Sequence, residues 1–197
     1  MLFTPVIADA AAFAATLADA LDGVDVAAVV LRLGPGDERS RINAIKALSQ
    51  TCREREVALL VDRHPDLVAR GGADGAHLTG IEAFADALER LKPERIAGCG
   101  GLATRHDAML AAEKGADYVM FGEPDAHGLR PEAAQVEERV AWWAELFEAP
   151  CVGYAASLHE VAVLAAAGAD FVALGEWAWS AETIRAAAAA LLPETAA

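Results

Sequence analysis

Short apolar runs alternate with longer amphipathic stretches from one end of the chain to the other. The runs place apolar residues at consecutive positions, as in strands of a parallel sheet that is covered on both faces. The stretches between them repeat apolar residues at helical spacing. The predicted strands cover residues 2–8, 26–33, 57–61, 75–78, 95–99, 118–121, 151–154 and 171–174. The predicted helices cover residues 11–21, 37–56, 65–70, 81–91, 104–114, 131–147, 157–167 and 180–192.

The number of strand–helix units predicts the fold. A regular alternation is typical of an α/β protein. Eight units favour a (β/α)8 barrel, the TIM barrel, over the alternative of a doubly wound open sheet. No Pro/Ser-rich linker or block of charge divides the sequence. We therefore expect residues 1–197 to form a single barrel domain.

An internal repeat marks the turns that lead into three of the strands. The tripeptide Gly-Ala-Asp occurs at 72–74, 115–117 and 168–170, each time between a predicted helix and the next strand. Glycine there predicts a left-handed helix cap, and aspartate predicts a local hydrogen bond that holds the turn. Because these turns lie at the amino-terminal ends of the strands, we interpret the repeat as structural.

Composition and charge narrow the class of ligand. The 16 Lys and Arg residues stand against 30 Asp and Glu residues, a formal net charge of −14. This charge disfavours nucleic acid and anionic membranes as partners. No apolar stretch reaches the roughly 18 residues of a spanning helix, and the acidic start does not fit a secretory signal. The three separated cysteines indicate reduced thiols and a cytoplasmic protein. The tryptophans and alanine-rich helices permit a homodimer.

The active site of such a barrel forms at the carboxyl ends of the strands. Asp62 ends the third predicted strand and suits a hard cation such as Mg2+; the alternative is a turn residue or a pair with Arg63. Glu82 is a second candidate metal ligand, or an ordinary first-turn glutamate. Arg32 is a candidate anion clamp, or one half of a charge pair.

Further candidates follow the later strands. His77 is a substrate-binding candidate, or a hydrogen-bonded core residue. Glu123 and Asp125 follow the sixth strand, where neighbouring carboxylates favour acid–base chemistry. Arg130 closes the same loop, and we take Arg32, Glu123 and Arg130 as the catalytic candidates. The loops after the last two strands are the usual phosphate site of such barrels. Their candidates are Gly153, Ala156, Ser157 and Gly175.

The order of these features resembles a known family, the thiamin-phosphate synthases with their thiazole tautomerase relatives. The resemblance covers nearly the whole chain. It is carried by Val-Leu-Arg at 30–32, Leu-Leu-Val-Asp-Arg at 59–63, Gly-Ala-Asp-Gly-Ala-His-Leu at 72–78, Gly-Ala-Asp-Tyr at 115–118 and Phe-Gly at 121–122.

The resemblance implies a Mg2+-dependent transfer between two small phosphorylated substrates. An aminopyrimidine diphosphate loses pyrophosphate, and the nitrogen of a thiazole phosphate captures the resulting cation. Asp62 matches the family's first Mg2+ ligand, and Glu82 falls at its second carboxylate. Arg32 matches its pyrophosphate-binding arginine.

The chain departs from the family pattern at several charged or polar positions. Gly34 stands where the family has lysine, Gly100 where it has serine, and Glu123 where the tautomerases have histidine. Arg130 is the only cation in the loop 123–130.

Three interpretations of the function follow. The chain is a synthase with degraded activity, a metal-independent tautomerase-like enzyme that uses Glu123 or His127, or a non-catalytic barrel that binds a small ligand or a protein.

Overall fold

The computed structural model describes residues 1–191, which form a closed parallel barrel whose eight strands follow one another in chain order. The predicted (β/α)8 architecture is therefore confirmed. The strands are β1 Leu2–Ile7, β2 Ala28–Leu33, β3 Ala58–Asp62, β4 Gly75–Thr79, β5 Ile96–Gly100, β6 Tyr118–Phe121, β7 Cys151–Ala155 and β8 Phe171–Leu174. The helices are α1 Ala10–Leu21, α2 Glu38–Arg53, α3 Pro65–Gly71, α4 Ile81–Leu91, α5 Arg105–Glu113, α6 Ala133–Leu146, α7 Leu158–Ala166 and α8 Ala181–Ala190.

The predicted boundaries differ from the observed ones by a few residues at some ends. The expectation that the sixth helix opens at Pro131 is wrong, because α6 begins at Ala133. The N–H of Glu132 donates to the side chain of Gln135, a capping contact that sets the start of the helix. A single 3-10 turn, Glu176–Ala178, precedes α8 and was not expected. The predicted helix end at residue 192 lies outside the described residues.

Apolar side chains pack in two layers, one inside the barrel and one between the sheet and the helices. The inner layer includes Phe3, Val30, Leu60, Met120 and Tyr154. The outer layer is larger and takes the other face of the strands together with the buried faces of the helices. Because both faces of the sheet are covered, consecutive strand residues are apolar, and this explains the runs in the sequence.

The Gly-Ala-Asp repeat closes the amino-terminal end of the barrel. Gly72 ends α3 with a φ of 73°, the left-handed cap that was predicted. The aspartates have the expected structural role, but the expectation of a local bond is wrong. Each carboxylate accepts a backbone N–H from the preceding strand and so joins two neighbouring strands. The pairs are Asp74 with Leu59 at 2.8 Å, Asp117 with Ala97 at 2.7 Å, and Asp170 with Cys151 at 2.8 Å.

The cysteines and the helices agree with the sequence-based expectations. Cys52, Cys99 and Cys151 are all buried and form no disulfide. Burial raises the pKa of the Cys99 thiol to about 12, as expected of a core thiol rather than a nucleophile. Among residues 1–191, every helix is too short or too polar to cross a lipid bilayer.

Candidate active site

Arg32 reaches the mouth of the barrel beside an irregularity in β1. The pairing of β1 with β2 shifts register between Phe3 and Val6. At this shift the hydroxyl of the fully buried Thr4 accepts the backbone N–H of Arg32 at 3.0 Å. This bond fixes the strand end from which the Arg32 side chain extends. Its guanidinium lies 3.7 Å from the carboxylate of Glu176, and the two side chains are 31% and 65% exposed.

Arg32 and Asp62 line the same pocket, which has a volume of about 310 Å³ and also includes Arg63 and His64. The Asp62 carboxylate is buried and accepts from Nε of Arg63 at 3.2 Å, and Nη2 of the same arginine forms an ion pair with it at 3.1 Å. Arg63 has a φ of 56°, which few residues other than glycine adopt. Its N–H donates to the carbonyl of His77 at 2.8 Å, which holds this conformation. Two guanidinium groups and one carboxylate thus meet at one side of the mouth.

Glu82 lies in a different pocket from Asp62. It is exposed in the first turn of α4 and lines that pocket together with Thr79 and Asp107. Within residues 1–191 no three His, Cys, Asp or Glu side chains gather around a cation position. Mg2+ at phosphate sites commonly uses one or two carboxylates and takes its other ligands from water and the substrate. Asp62 supplies one carboxylate of this kind, and its Oδ2 already accepts from Nε of Arg63.

A buried chain of hydrogen bonds crosses the interior below the mouth. His77 on β4 is fully buried, with Nδ1 2.9 Å from the Tyr118 hydroxyl and Nε2 2.7 Å from Oε2 of Glu123. The Tyr118 ring lies where a side chain on Gly98 of β5 would project, so only glycine leaves room for it. His77 therefore belongs both to the core and to the candidate site.

The charges around His77 decide its protonation. Burial by itself favours the neutral imidazole and lowers its pKa. The charge of Glu123 and the hydrogen bond to it nevertheless raise the pKa of His77 above its ordinary value, and Asp62 adds to that effect. Burial, Glu123 and Asp62 also raise the pKa of Tyr118 well above its usual range. Tyr118 therefore keeps its phenol O–H.

The second oxygen of Glu123 has no hydrogen-bond partner among the described residues. The Glu123 side chain is only 8% exposed, and Oε1 is buried. Gly100 creates the space, because a Cβ at that position would lie 2.5 Å from Oε1. Glu123 lines a second pocket of about 310 Å³ together with Gly101, Leu102 and Met120. A residue that lines a pocket thus carries a buried acceptor that is unpartnered among residues 1–191.

Arg130 is engaged in an internal ion pair. Its Nη1 donates to Oε1 and Oε2 of Glu160 at 3.1 Å and 2.8 Å. Its Nε donates to the Gly122 carbonyl at 3.2 Å, and Nη2 donates to the Tyr154 carbonyl at 3.1 Å. A substrate anion would have to compete with Glu160 for this guanidinium.

Glu160 also occupies part of the predicted phosphate site. Its Oε2 accepts the N–H of Ala156 at 3.0 Å. The Ser157 hydroxyl caps α7 by accepting the N–H of Glu160 at 3.3 Å. Sequence reasoning did not single out Glu160, although a glutamate three residues after a serine N-cap is the signature of a capping box.

The two candidate glycines lie in the wall of the barrel. A Cβ on Gly153 would meet Leu164 of α7 at 3.0 Å, so this residue faces the helix layer. Gly175 lies directly against the Tyr154 hydroxyl, where any side chain would overlap it. Packing requires glycine at 175 and leaves little room for a side chain at 153. The expectation that Gly153 lies in the loop after the strand is wrong, because it pairs within β7 with Phe121 of β6 and Val172 of β8.

The predicted residues therefore fall into two groups at the mouth. Arg32 and Asp62 share one pocket, while His77 and Glu123 share a hydrogen bond. Tyr118 was missed, although its spacing of two residues from Met120 on one strand indicates the same inward face.

Comparison with known proteins identifies one family, by a family profile and by individual relatives. The family profile of thiamine monophosphate synthase matches residues 1–177. The thiamine-phosphate synthase of Rhodospirillum centenum is 38% identical over 182 residues, which are 91% of this chain and 88% of that protein. The thiamine-phosphate synthase of Hyphomonas neptunium is 33% identical over 196 residues, 95% of this chain and 88% of that protein.

Solved structures show the same fold. Thiamine phosphate pyrophosphorylase from Pyrococcus furiosus superposes with a TM-score of 0.75 at 22% identity, covering 96% of this chain and 92% of that one. Orotidine 5'-phosphate decarboxylase from Pyrococcus horikoshii superposes with a TM-score of 0.67 at 12% identity, covering 96% and 98%. These likenesses concern the barrel itself.

Proposed function

The chain belongs to the thiamine monophosphate synthase family, and we propose that it joins an aminopyrimidine diphosphate to a thiazole phosphate in thiamin biosynthesis. The bond between the pyrimidine methylene carbon and the diphosphate oxygen breaks, and pyrophosphate leaves with the electron pair. The thiazole nitrogen then supplies the pair for the new carbon–nitrogen bond. The observation that carries this proposal is the pocket shared by Arg32, Asp62 and Arg63.

The first pocket is suited to the diphosphate. Arg32 and Arg63 would donate hydrogen bonds to its oxygens, and each such bond to a charged group is worth about 1.5–3 kcal/mol. Asp62 would hold Mg2+, with Glu82 as the proposed second carboxylate. When bound, Mg2+ supplies positive charge that stabilises the departing pyrophosphate. The long contact between Arg32 and Glu176 is solvent-exposed, so a substrate anion can replace Glu176 there.

The loops after β7 and β8 are proposed to hold the phosphate of the second substrate. The backbone of Ala156 and Gly175 and the capped start of α7 at Ser157 would supply N–H donors, while Gly153 lies behind them in β7. Glu160 accepts the Ala156 N–H at 3.0 Å, so full use of this site requires Glu160 to turn away. Arg130 would then leave Glu160 and turn out of the second pocket to the same phosphate.

Pyrophosphate release, measured with both substrates and Mg2+, tests this proposal. We expect release that requires both substrates and Mg2+ and is coupled to thiamin phosphate. Asp62→Asn should lower the rate at least tenfold, while Asp66→Asn, the same change on the exposed start of α3, should not alter it. A folded protein that neither releases nor binds pyrophosphate would overturn the proposal.

A metal-independent isomerisation of a heterocycle is the second candidate function. It is favoured by the buried Glu123 carboxylate, whose Oε1 is unpartnered among residues 1–191 and could take a proton from a bound ring. This activity would persist in the presence of a chelator and would release no pyrophosphate. A flat pH–rate profile in both the wild type and Glu123→Gln would argue against it.

The remaining expectations concern the protein as a whole. We infer a single barrel domain over residues 1–197, a small phosphorylated substrate, a cytoplasmic location and a homodimer. Limited proteolysis tests the first, and light scattering after size-exclusion chromatography tests the oligomeric state. A protease-sensitive boundary within the barrel, or a monomer at all concentrations, would contradict the corresponding inference.

A further inference from the structure

We propose that Oε1 of Glu123 accepts a hydrogen bond from an N–H group of an aminated nitrogen heterocycle bound in the second pocket. This inference deepens the proposed function, on which it rests, by assigning the residue that selects the amino-bearing ring. The ring would lie between Glu123 and the apolar side chains of Leu102, Met120 and Leu129.

The first argument is the state of the carboxylate. Oε2 is taken by Nε2 of His77 at 2.7 Å, whereas Oε1 is buried and accepts no hydrogen bond from residues 1–191. A buried charged acceptor without a partner is costly, because water's hydrogen bonds have been lost and nothing has replaced them. We therefore expect Oε1 to accept a hydrogen bond from a bound molecule.

The second argument is the space around that oxygen. Gly100 removes the side chain that would otherwise lie 2.5 Å from Oε1, and Gly101 borders the same pocket. The Glu123 carboxylate fills the space that a Cβ on Gly100 would take, so no side chain from β5 stands between Oε1 and the pocket. The pocket also reaches Met120, whose side chain belongs to the inner layer of the barrel.

The third argument is that this pocket is poorly suited to an anion. Its two arginines already have partners: Arg139 donates to the carbonyls of Leu102 and Ala103 at 2.8 Å and 2.6 Å, and Arg130 pairs with Glu160. The Glu123 carboxylate adds negative charge at the inner wall. A phosphate would be repelled here, whereas a polarised N–H donor would be attracted.

The two pockets then divide one substrate by charge. The diphosphate end is suited to the side lined by Arg32, Arg63 and Asp62, and the amino-bearing ring to the side lined by Glu123. The negative charge of Glu123 would also favour the positive charge that develops on the ring as pyrophosphate leaves. Glu123 is thus a specificity-determining residue that contacts the substrate ring.

The test uses two fragments of the same shape. 4-Aminopyrimidine carries the N–H donor, and 4-methylpyrimidine replaces the amino group by a methyl group that cannot donate. Ligand-observed NMR titration gives both dissociation constants for the full chain, without turnover. We expect the wild type to bind the amino fragment about tenfold more tightly, as one charge-assisted hydrogen bond requires.

Variants at Glu123 identify the acceptor. Glu123→Leu should reduce the preference to within about threefold, and Glu123→Gln should give an intermediate value because the acceptor is no longer charged. Glu137→Gln, the same change on the exposed face of α6, should retain the wild-type preference. Thermal unfolding checks that each variant is folded; if Glu123→Leu is not, the Glu123→Gln value decides.

The outcomes separate this inference from the proposed function. Three results would overturn the inference: equal affinities of the wild type for the two fragments, no binding of either fragment, or an undiminished preference in folded Glu123→Leu or Glu123→Gln. Oε1 would then be satisfied by a bound water. A preference that depends on Glu123 in a protein that releases no pyrophosphate would support the inference and defeat the synthase proposal. If Glu123→Gln releases pyrophosphate with an unchanged KM for the pyrimidine, the synthase proposal is supported and the inference about Glu123 is defeated.

Discussion

Nη1 of Arg130 lies 2.8 Å from Oε2 of Glu160, so the cation that follows β6 and the carboxylate on α7 neutralise each other. Both side chains are largely shielded from solvent, at 19% and 17% exposure. The same guanidinium also donates to the carbonyls of Gly122 and Tyr154. The pair therefore fastens the loop after β6 to the neighbouring strand and helix.

Glu160→Gln should lower the free energy of unfolding by about 2 kcal/mol, because it leaves a partly buried guanidinium without its counter-charge. Urea denaturation measures the change. Glu138→Gln is the matched control, since its pair with Arg105 is exposed and should contribute less than about 1 kcal/mol. Equal losses in the two variants would show that the Arg130 pair has no special stabilising role.

Arg32→Ala should raise the KM for the diphosphate substrate by about 10- to 100-fold, the equivalent of one lost hydrogen bond to a charged group. Arg32→Lys should recover part of the loss, because it restores the charge but not the planar donor pair. Arg53→Ala on the exposed face of α2 is the control. Steady-state kinetics of pyrophosphate release provide the measurement, and an unchanged KM would remove Arg32 from the site.

The raised pKa of His77 makes stability depend on pH. The folded protein holds this proton more tightly than the unfolded chain, because Glu123 is in contact with the imidazole. The resulting stabilisation is fully present below the unfolded-state pKa of about 6.5. It is lost as the pH rises through the folded-state pKa.

Relative to Glu123→Gln, the wild type should therefore lose free energy of unfolding as the pH is raised from about 6 to 9. Urea denaturation at a series of pH values measures this difference. The other histidines are common to both proteins and cancel in the comparison. A difference that stays constant, or that grows with pH, would mean that His77 does not gain a proton from its contact with Glu123.

Asp170→Ala should lower the free energy of unfolding by about 1–3 kcal/mol, because the Cys151 N–H loses a charged acceptor. The rate of pyrophosphate release by the folded variant should not change, since the bond lies at the opposite end of the barrel from the mouth. Asp86→Ala, on the exposed side of α4, is the control for the loss of a surface charge. A loss of rate without a loss of stability would contradict this assignment.

The fold could be predicted because each strand carries its own signal, a short apolar run bounded by turn residues. The strand ends were predicted for the same reason, and they placed Asp62 and Arg32 at the mouth; that the two share one pocket is a finding of the structure. The sequence could not predict which charged residues contact each other. Arg130 and Glu160 are 30 positions apart, and His77 and Glu123 are 46 apart, so only the closed barrel brings them together.

The role of Glu123 shows the same limit at a smaller scale. Its residue type pointed to acid–base chemistry, but the burial of Oε1 depends on the missing side chain at Gly100. In the sequence, Gly100 is only a departure from the family's serine. The two substitutions fit each other in space, and this relation becomes visible only when the strand ends are seen side by side.

The three aspartates of the repeat join β3 to β4, β5 to β6, and β7 to β8, and all three bonds lie at the end of the barrel away from the mouth. These six strands are therefore fastened in successive pairs at the end opposite the candidate site. Side chains at the mouth can therefore be replaced without removing these three hydrogen bonds. Glu123 and Gly100 lie at the mouth, where a change of side chain leaves all three bonds in place.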